Sequence, residues 1–468
     1  MPHPPPLLQE ETSVLPRSIS AFTATCVVVA NVIGVGIFTT PGFLARDLGS
    51  PMAVLSIWII GAILALAGAL AYCELGAAFP RAGAEYVYLR EAYGPFWGYL
   101  SGWTSFFTGF TAPIAAACIG FAAYLSHFAP HLGPNYVLWS APVGGSVVSL
   151  SGGQIIALLA LWLLSFVHMS GVRRGGKLQV ALTVGKVACI VLLILFGLTL
   201  GNGDWGHFRS GDQGLFPDAA FRNGAVSLIF VLYCFSGWNA AAYLAGEMKN
   251  PTRSIPISLL AGTGIVTVLY IGLNLLFLYA LDLSEMSGVL EVGAKASLAL
   301  FGPVATHLVA AIMALSILAS ASAMILAGPR VYFAMASDGL FPKKLAGLHP
   351  QTQSPSTAIF FQSVWASVLV LTGTFDQLVV YSGFVLVFFS ALAVAALMVL
   401  RWRRPQMPRP FSVPLYPYTP LVFLAFSAWI LFFTLQSRPQ ESLMGVATVL
   451  LGLPFYFYWQ RKRADRSG

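Results

Sequence analysis

"ANVIGVGIFTTPG", Ala30 to Gly42, lies inside an apolar run long enough to cross a bilayer. It carries Asn31, Gly34, Gly36 and Pro41 where a spanning helix would prefer leucine. The rest of the chain makes the membrane setting plain. Its 468 residues are 57% hydrophobic and 9% charged, with mean hydropathy +0.78, whereas a soluble domain carries about 25% charged residues. Apolar runs of spanning length recur at 19–44, 51–78, 96–126, 153–170, 177–201, 221–246, 256–281, 303–335, 356–374, 376–400, 415–436 and 442–460. Such runs are read as transmembrane helices. The expected fold is therefore an all-α polytopic membrane protein of twelve helices.

The basic residues report orientation. Nineteen of the 25 Lys and Arg residues fall on the side of the N-terminus; Arg46, Arg209, Arg222, Lys295 and Arg438 fall on the other, and Lys186 lies within a span. The positive-inside rule then places both termini in the cytoplasm of a cell-membrane protein, and the net charge of +8 reports topology, with nucleic acid excluded as a partner. The first 18 residues are proline-rich, lack a basic start, and read as a short disordered tail. Cys26, Cys73, Cys118, Cys189 and Cys234 all lie within spans, so no disulfide-linked partner is expected, and the oligomeric state stays open. His127 and His131 fall in a proline-bounded outer loop, so no metal site and no cofactor is expected. There is no HExxH, no GxSxG and no pair of intramembrane aspartates, which argues against an enzyme.

Breaking a helix in hydrocarbon has a purpose. Gly34 and Gly36 each weaken a helix by about 1 kcal/mol relative to Ala, and freed backbone groups survive at membrane depth only where they line a cavity or are buried in protein. The break divides the first span into halves of about 14 and 8 residues. One half ends near Ile33 with unpaired carbonyls, and the next begins near Ile37 with unpaired amides. The two poles suit the ammonium and carboxylate of an amino acid. Close helix packing through small residues is the rival reading, weakened because Gly34 and Gly36 lie on different faces. A second break occurs in "LYCFSGWNAAAY", Leu232 to Tyr243, at Ser236 and Gly237. Interrupted spans at matching places in two halves point to a substrate site at the midplane. The substrate-binding candidates are Ile33, Gly34, Val35 and Gly36, with Tyr233, Phe235, Ser236, Gly237, Trp238 and Asn239. In this scheme the carboxylate meets amides around Gly34–Gly36, and the ammonium meets carbonyls near Ile33 and Tyr233–Phe235.

These motifs also carry a resemblance. NVIGVGIFTTPG, AYCELGAAFPRAGAEYVYLREAYGPFWGYLSGW (71–103), Gly-Trp-Asn at 237–239 and GEMKNPTRSIPISL (246–259) together resemble amino acid permeases of the amino acid–polyamine–organocation superfamily. Within it they are most similar to the L-amino acid transporter group. The resemblance implies a 5+5 inverted-repeat core: 19–201 as the first repeat, 202–222 an outer loop, 223–400 the second repeat, 401–460 two further helices and 461–468 a tail. It also implies an aromatic gate at Tyr233 or Phe235 and a pocket-shaping role for Asn239. Ala84 stands where the family more usually has glycine. Trp238 reads equally well as a packing anchor.

Charges refine the expectation. Of the acids, only Glu74 and Glu247 approach the spans, near the cytoplasmic ends, which favours a neutral L-amino acid over a cationic amino acid or a polyamine. Pairs of Glu247 with Arg253, and of Glu74 with Arg81 or Arg330, would serve as a cytoplasmic gate or hold loops. The tyrosine-rich stretch 85–99 reads as an interfacial amphipathic helix. Lys186 either snorkels to the interface or, as the family's lysine at the matching position implies, fills the place sodium takes in coupled relatives. There it would meet carbonyls of the first half-helix and hydroxyls such as Ser320 or Ser322, and it could exchange a proton in the cycle. The expected function is sodium-independent transport by alternating access, as exchanger or proton symporter; a non-transporting amino-acid sensor is the rival from another class.

Overall fold

A computed structural model describes residues 17, 19–126, 128–129, 131, 133, 136–143, 146–209, 220–351 and 354–467. The expected tail, apart from Arg17, lies outside the described residues, as do His127 and 210–219 of the outer loop. The chain runs α1 (Ala21–Val32), α2 (Gly36–Leu48), α3 (Pro51–Ala78), α4 (Glu85–Tyr93), α5 (Pro95–Thr104), a π-turn at Ser105–Gly109 and α6 (Thr111–Leu125). A hairpin of β1 (Val137–Val143) and antiparallel β2 (Ser146–Ser151) follows. Next come α7 (Gly152–Met169), α8 (Val172–Leu200), α9 (Ala220–Phe235), α10 (Ala240–Tyr243), α11 (Pro251–Ala280), α12 (Leu283–Met286) and α13 (Val292–Phe301). The chain closes with α14 (Pro303–Ala327), α15 (Pro329–Ser337), α16 (Ser356–Thr372), α17 (Phe375–Arg403), α18 (Tyr418–Ser437) and α19 (Pro439–Ser467).

Among the described residues ten helical stretches are long and apolar enough to cross a membrane. The apolar parts of expected spans six and nine, Asn223–Phe235 and Ser356–Thr372, are shorter. Span six is short because its second half is only the four-residue α10 and a 3₁₀ turn, Ala245–Glu247. Local chemistry sets the ends. Proline opens α3, α5, α11, α14 and α15, where its missing N–H costs no helical bond. Ser151 with Gln154, and Thr374 with Gln377, form reciprocal capping boxes at the starts of α7 and α17.

Packing sorts the helices by environment. α1, α2, α6 and α9 are largely sheathed by neighbours, whereas α7, α8, α18 and α19 expose Leu159, Leu163, Phe196, Phe432, Leu451 and Phe455. Those apolar faces meet lipid at no cost, because hydrocarbon is as apolar as the side chains it touches. The face of the bundle where α1 begins is here called the near face, and the face where α2 ends the far face. At the near face Ile19 pairs with the backbone at Glu247 and Lys249, at 2.9 and 2.8 Å, tying the segment before α1 to the chain after α10. The hairpin, and α12 and α13 over the far face, carry no apolar run of spanning length and were not foreseen.

Candidate functional site

The first break is three residues long. α1 ends at Val32, Ile33 caps it, and α2 resumes at Gly36 and continues through Pro41 to Leu48. The second half is therefore 13 residues against 12 for the first, longer than the eight expected, because Pro41 is accommodated inside α2. At the second break, α9 ends at Phe235 and α10 begins at Ala240. Gly237 adopts φ +100°, and a Cβ there would come within about 3.0 Å of the Asn31 side chain. Only glycine allows both that backbone and that approach. Tyr270 of α11 ties the breaks together: its hydroxyl lies 2.6 Å from the Val32 carbonyl and 3.0 Å from that of Cys234. No sequence signal singled out Tyr270, since a tyrosine in a long apolar helix reads as packing.

Two adjoining cavities of about 60 and 20 Å³ lie between the breaks. They share Asn31, Pro113, Ser236 and Met324 in their walls. Gly34, Val35, Gly36 and Tyr233 line the smaller; Gly237, Trp238, Asn239 and Tyr243 line the larger. No charged side chain lines either one among the described residues. Gly109 and Phe110, at the end of the π-turn, complete one wall of the larger cavity; such bulges inside helices are frequent at functional sites. A wider cavity of about 360 Å³ opens towards the far face between Thr39, Tyr124, Gln154, Glu291 and Phe375.

Lys186 does not snorkel. It is 4% exposed, and its Nζ donates to the carbonyls of Ile33 at 2.6 Å, Ser316 at 3.2 Å and Ala30 at 3.3 Å. Ile33 and Ala30 stand at the end of α1, where helical carbonyls lack partners and carry the negative pole. The ammonium thus caps the broken helix from α8 and pins it to α14. Ser320 lies on the same side and donates to the Asn31 carbonyl at 3.3 Å. Ser322 does not join them: it pairs with His168 of α7 at 2.7 Å. Residues two apart on a helix point about 200° away from each other, so Ser320 and Ser322 cannot serve one site.

The same geometry divides the aromatic candidates. Tyr233 reaches the smaller cavity, whereas Phe235 turns away and packs against Trp58 and Tyr270 at centroid distances of 6.2 and 5.1 Å. Phe235 is therefore core, and of the two only Tyr233 reaches the cavity. Trp238 both lines the larger cavity and meets Tyr72 edge-on at 4.6 Å. The carbonyls assigned to a substrate ammonium already accept protein donors: Ile33 from Lys186, Tyr233 from the Ser236 amide, Phe235 from the Trp238 amide.

The near-face pairs differ from those expected. Glu247 binds Arg330 at 3.0 Å with both side chains buried, while Arg253 is exposed at the start of α11. Glu74 binds Arg401 at 2.9 Å and Arg409 at 3.5 Å, and accepts from the Val413 amide at 2.8 Å. Arg81 and Arg330 are not its partners. These pairs join α15 to the second break, and α3 to the chain around α17.

The stretch after α3 departs most from expectation. α4 buries Glu85, Tyr86, Val87, Tyr88, Leu89 and Ala92, so most of its surface packs against the bundle and it does not present an amphipathic face to lipid. Ala84 precedes it at φ +41°, a backbone that a side chain adopts only under strain. Glu85 is 5% exposed, and its Oε1 accepts from Asn239 Nδ2 at 2.6 Å and from Tyr72 at 2.8 Å. The Tyr243 hydroxyl lies beside it. Burial with no cation close by lifts the Glu85 carboxyl above the usual carboxylate range.

Broken helices, a caged lysine and a cavity between the two breaks define a membrane permease. The amino acid permease family model matches residues 19–454, and the chain belongs to that family. It is 32% identical over 465 residues to the serine/threonine exchanger SteT of Bacillus subtilis (strain 168), covering 98% of this chain and 100% of the relative. It is 29% identical over 460 residues to the human large neutral amino acids transporter small subunit 2, covering 96% of this chain and 82% of that one. The human b(0,+)-type amino acid transporter 1 is 28% identical over 453 residues, with 96% and 89% covered. The protein is thus a membrane transporter, and not an enzyme.

Proposed function

We propose that this permease is a sodium-independent secondary transporter of small neutral L-amino acids, working by alternating access as an exchanger or a proton symporter. The observation that carries this reading is the triad of carbonyls around Lys186. A resident ammonium supplies the positive charge that holds the end of α1, so no metal cation is needed there. The neutral lining and small volume of the central cavities support a short, uncharged side chain. In the cycle, the substrate carboxylate meets the amides that open α2, and its ammonium uses the remaining lone pairs of the Ile33 and Phe235 carbonyls, since Tyr233 accepts from both the amide and the hydroxyl of Ser236. The helices of spans one, two, six and seven, two from each inverted five-span repeat, then rock against the others, with the glycines at the breaks as hinges. Both termini lie in the cytoplasm, so the near face and its Glu247–Arg330 pair form the inner gate. The exchanger named among the relatives supports an antiport cycle.

The test is uptake of labelled neutral amino acids into proteoliposomes, empty or loaded with unlabelled substrate, with and without an inward proton gradient. Uptake confined to loaded vesicles identifies an exchanger, and concentrative uptake into empty vesicles driven by protons identifies a symporter. Preference for arginine over every neutral amino acid, or binding without transport, would overturn the reading.

A further inference from the structure

The Glu85 carboxylate faces no described cation, yet it is built into the floor of the larger cavity through Asn239. Its contacts make a directional statement. A carboxylate oxygen within 2.6 Å of the Asn239 side chain must face the amide's N–H₂ group, because two acceptors would repel. The second N–H of the same Nδ2 reaches the Tyr243 hydroxyl at 3.1 Å. Both donors of the amide are thus committed to protein acceptors. Asn239 itself lines that cavity, and the described hydrogen bonds of its side chain all run through Nδ2. The floor therefore offers the substrate a hydrogen-bond acceptor.

We propose that Glu85 is a positioning residue that fixes the Asn239 amide with its carbonyl towards the cavity, so that the transporter selects short side chains ending in a hydrogen-bond donor. Hydroxyl side chains satisfy this requirement, and their apolar isosteres leave a buried acceptor unpaired. Discrimination against a missing donor comes from the acceptor that the site is left with unpaired, about the worth of one hydrogen bond. Replacing Glu85 by glutamine keeps the shape but adds a donor, which lets the Asn239 amide turn over and present N–H to the cavity. Tyr72→Phe removes a bond to the same Glu85 oxygen without offering the amide a second orientation. The inference rests on the central cavities being the substrate site.

The experiment is competitive exchange in proteoliposomes of the full chain, with threonine against its isostere valine, and serine against O-methylserine. Wild type should favour the donor-bearing member of each pair by about three- to tenfold, the worth of one hydrogen bond. Glu85→Gln should lose most of that preference through KM, with serine and O-methylserine drawing level, while Tyr72→Phe retains it. Transport by wild type with no donor preference would overturn the inference while leaving the transport reading intact, whether or not any variant folds. Equal loss in Glu85→Gln and Tyr72→Phe would also overturn it, since that marks general loosening. Absence of all amino-acid transport in wild type would instead remove the functional reading on which it rests.

Discussion

Lys186→Ala should cripple transport far more than Lys343→Ala. The ammonium of Lys186 makes three bonds of 2.6 to 3.3 Å to carbonyls, two of them on the unpaired end of α1. Hydrogen bonds to a charged group contribute about 1.5–3 kcal/mol each, and an orphaned buried acceptor costs about 1–3 kcal/mol. Rescue by water in a partly relaxed site reduces the sum. A net penalty of about 2–4 kcal/mol on the closed arrangement corresponds to a loss of roughly 30- to 1000-fold in its population. Lys343 is exposed at the near face, and surface substitutions of this kind usually stay within about 0.5 kcal/mol. The assay is counterflow of labelled substrate in proteoliposomes, normalised to protein in the vesicles. Equal initial rates for Lys186→Ala and Lys343→Ala would refute the claim that the ammonium holds the break together.

Further outcomes follow from the same contacts. Gly34→Leu should abolish uptake without preventing membrane insertion, because a Cβ at 34 would already lie 2.9 Å from Ser320 Oγ; undiminished uptake by the inserted variant would remove Gly34 from the site. Ala84→Gly should raise the melting temperature in detergent, since glycine tolerates φ +41° and relieves strain of about 1 kcal/mol or more. The Glu85 carboxyl, raised by burial, binds its proton more tightly in the folded than in the unfolded chain. Folded protein holds more protons in that window, so stability should fall as pH rises from the ordinary glutamate range through the elevated one. Thermal unfolding against pH should show this slope in wild type, and Glu85→Gln should flatten it.

The parts of the site readable in sequence were those that violate the rules of an apolar helix. Gly34, Gly36, Ser236 and Gly237 stand where leucine belongs, and Lys186 is a lone charge deep in a span, so each advertises itself before any packing is known. What the sequence could not convey was direction. Ser320 against Ser322, and Tyr233 against Phe235, are pairs two residues apart on helices, and membership of the site turns on which neighbour each face meets. Ion-pair partners were hidden for a related reason. Glu74 finds Arg401 and Arg409 more than 300 residues away, whereas the sequence offered only nearer arginines as candidates. α4 misled because tyrosines and carboxylates look interfacial until their partners are known; here Tyr72 and Asn239 both bond one oxygen of the buried Glu85.

At the break of α1, the Lys186 ammonium stands in the place of a bound cation. Counterflow of labelled serine into serine-loaded proteoliposomes, with all sodium replaced by choline, measures that claim. Uptake should be full in choline, with no stimulation when sodium is restored. Uptake that appears only with sodium would show that Lys186 does not replace the cation.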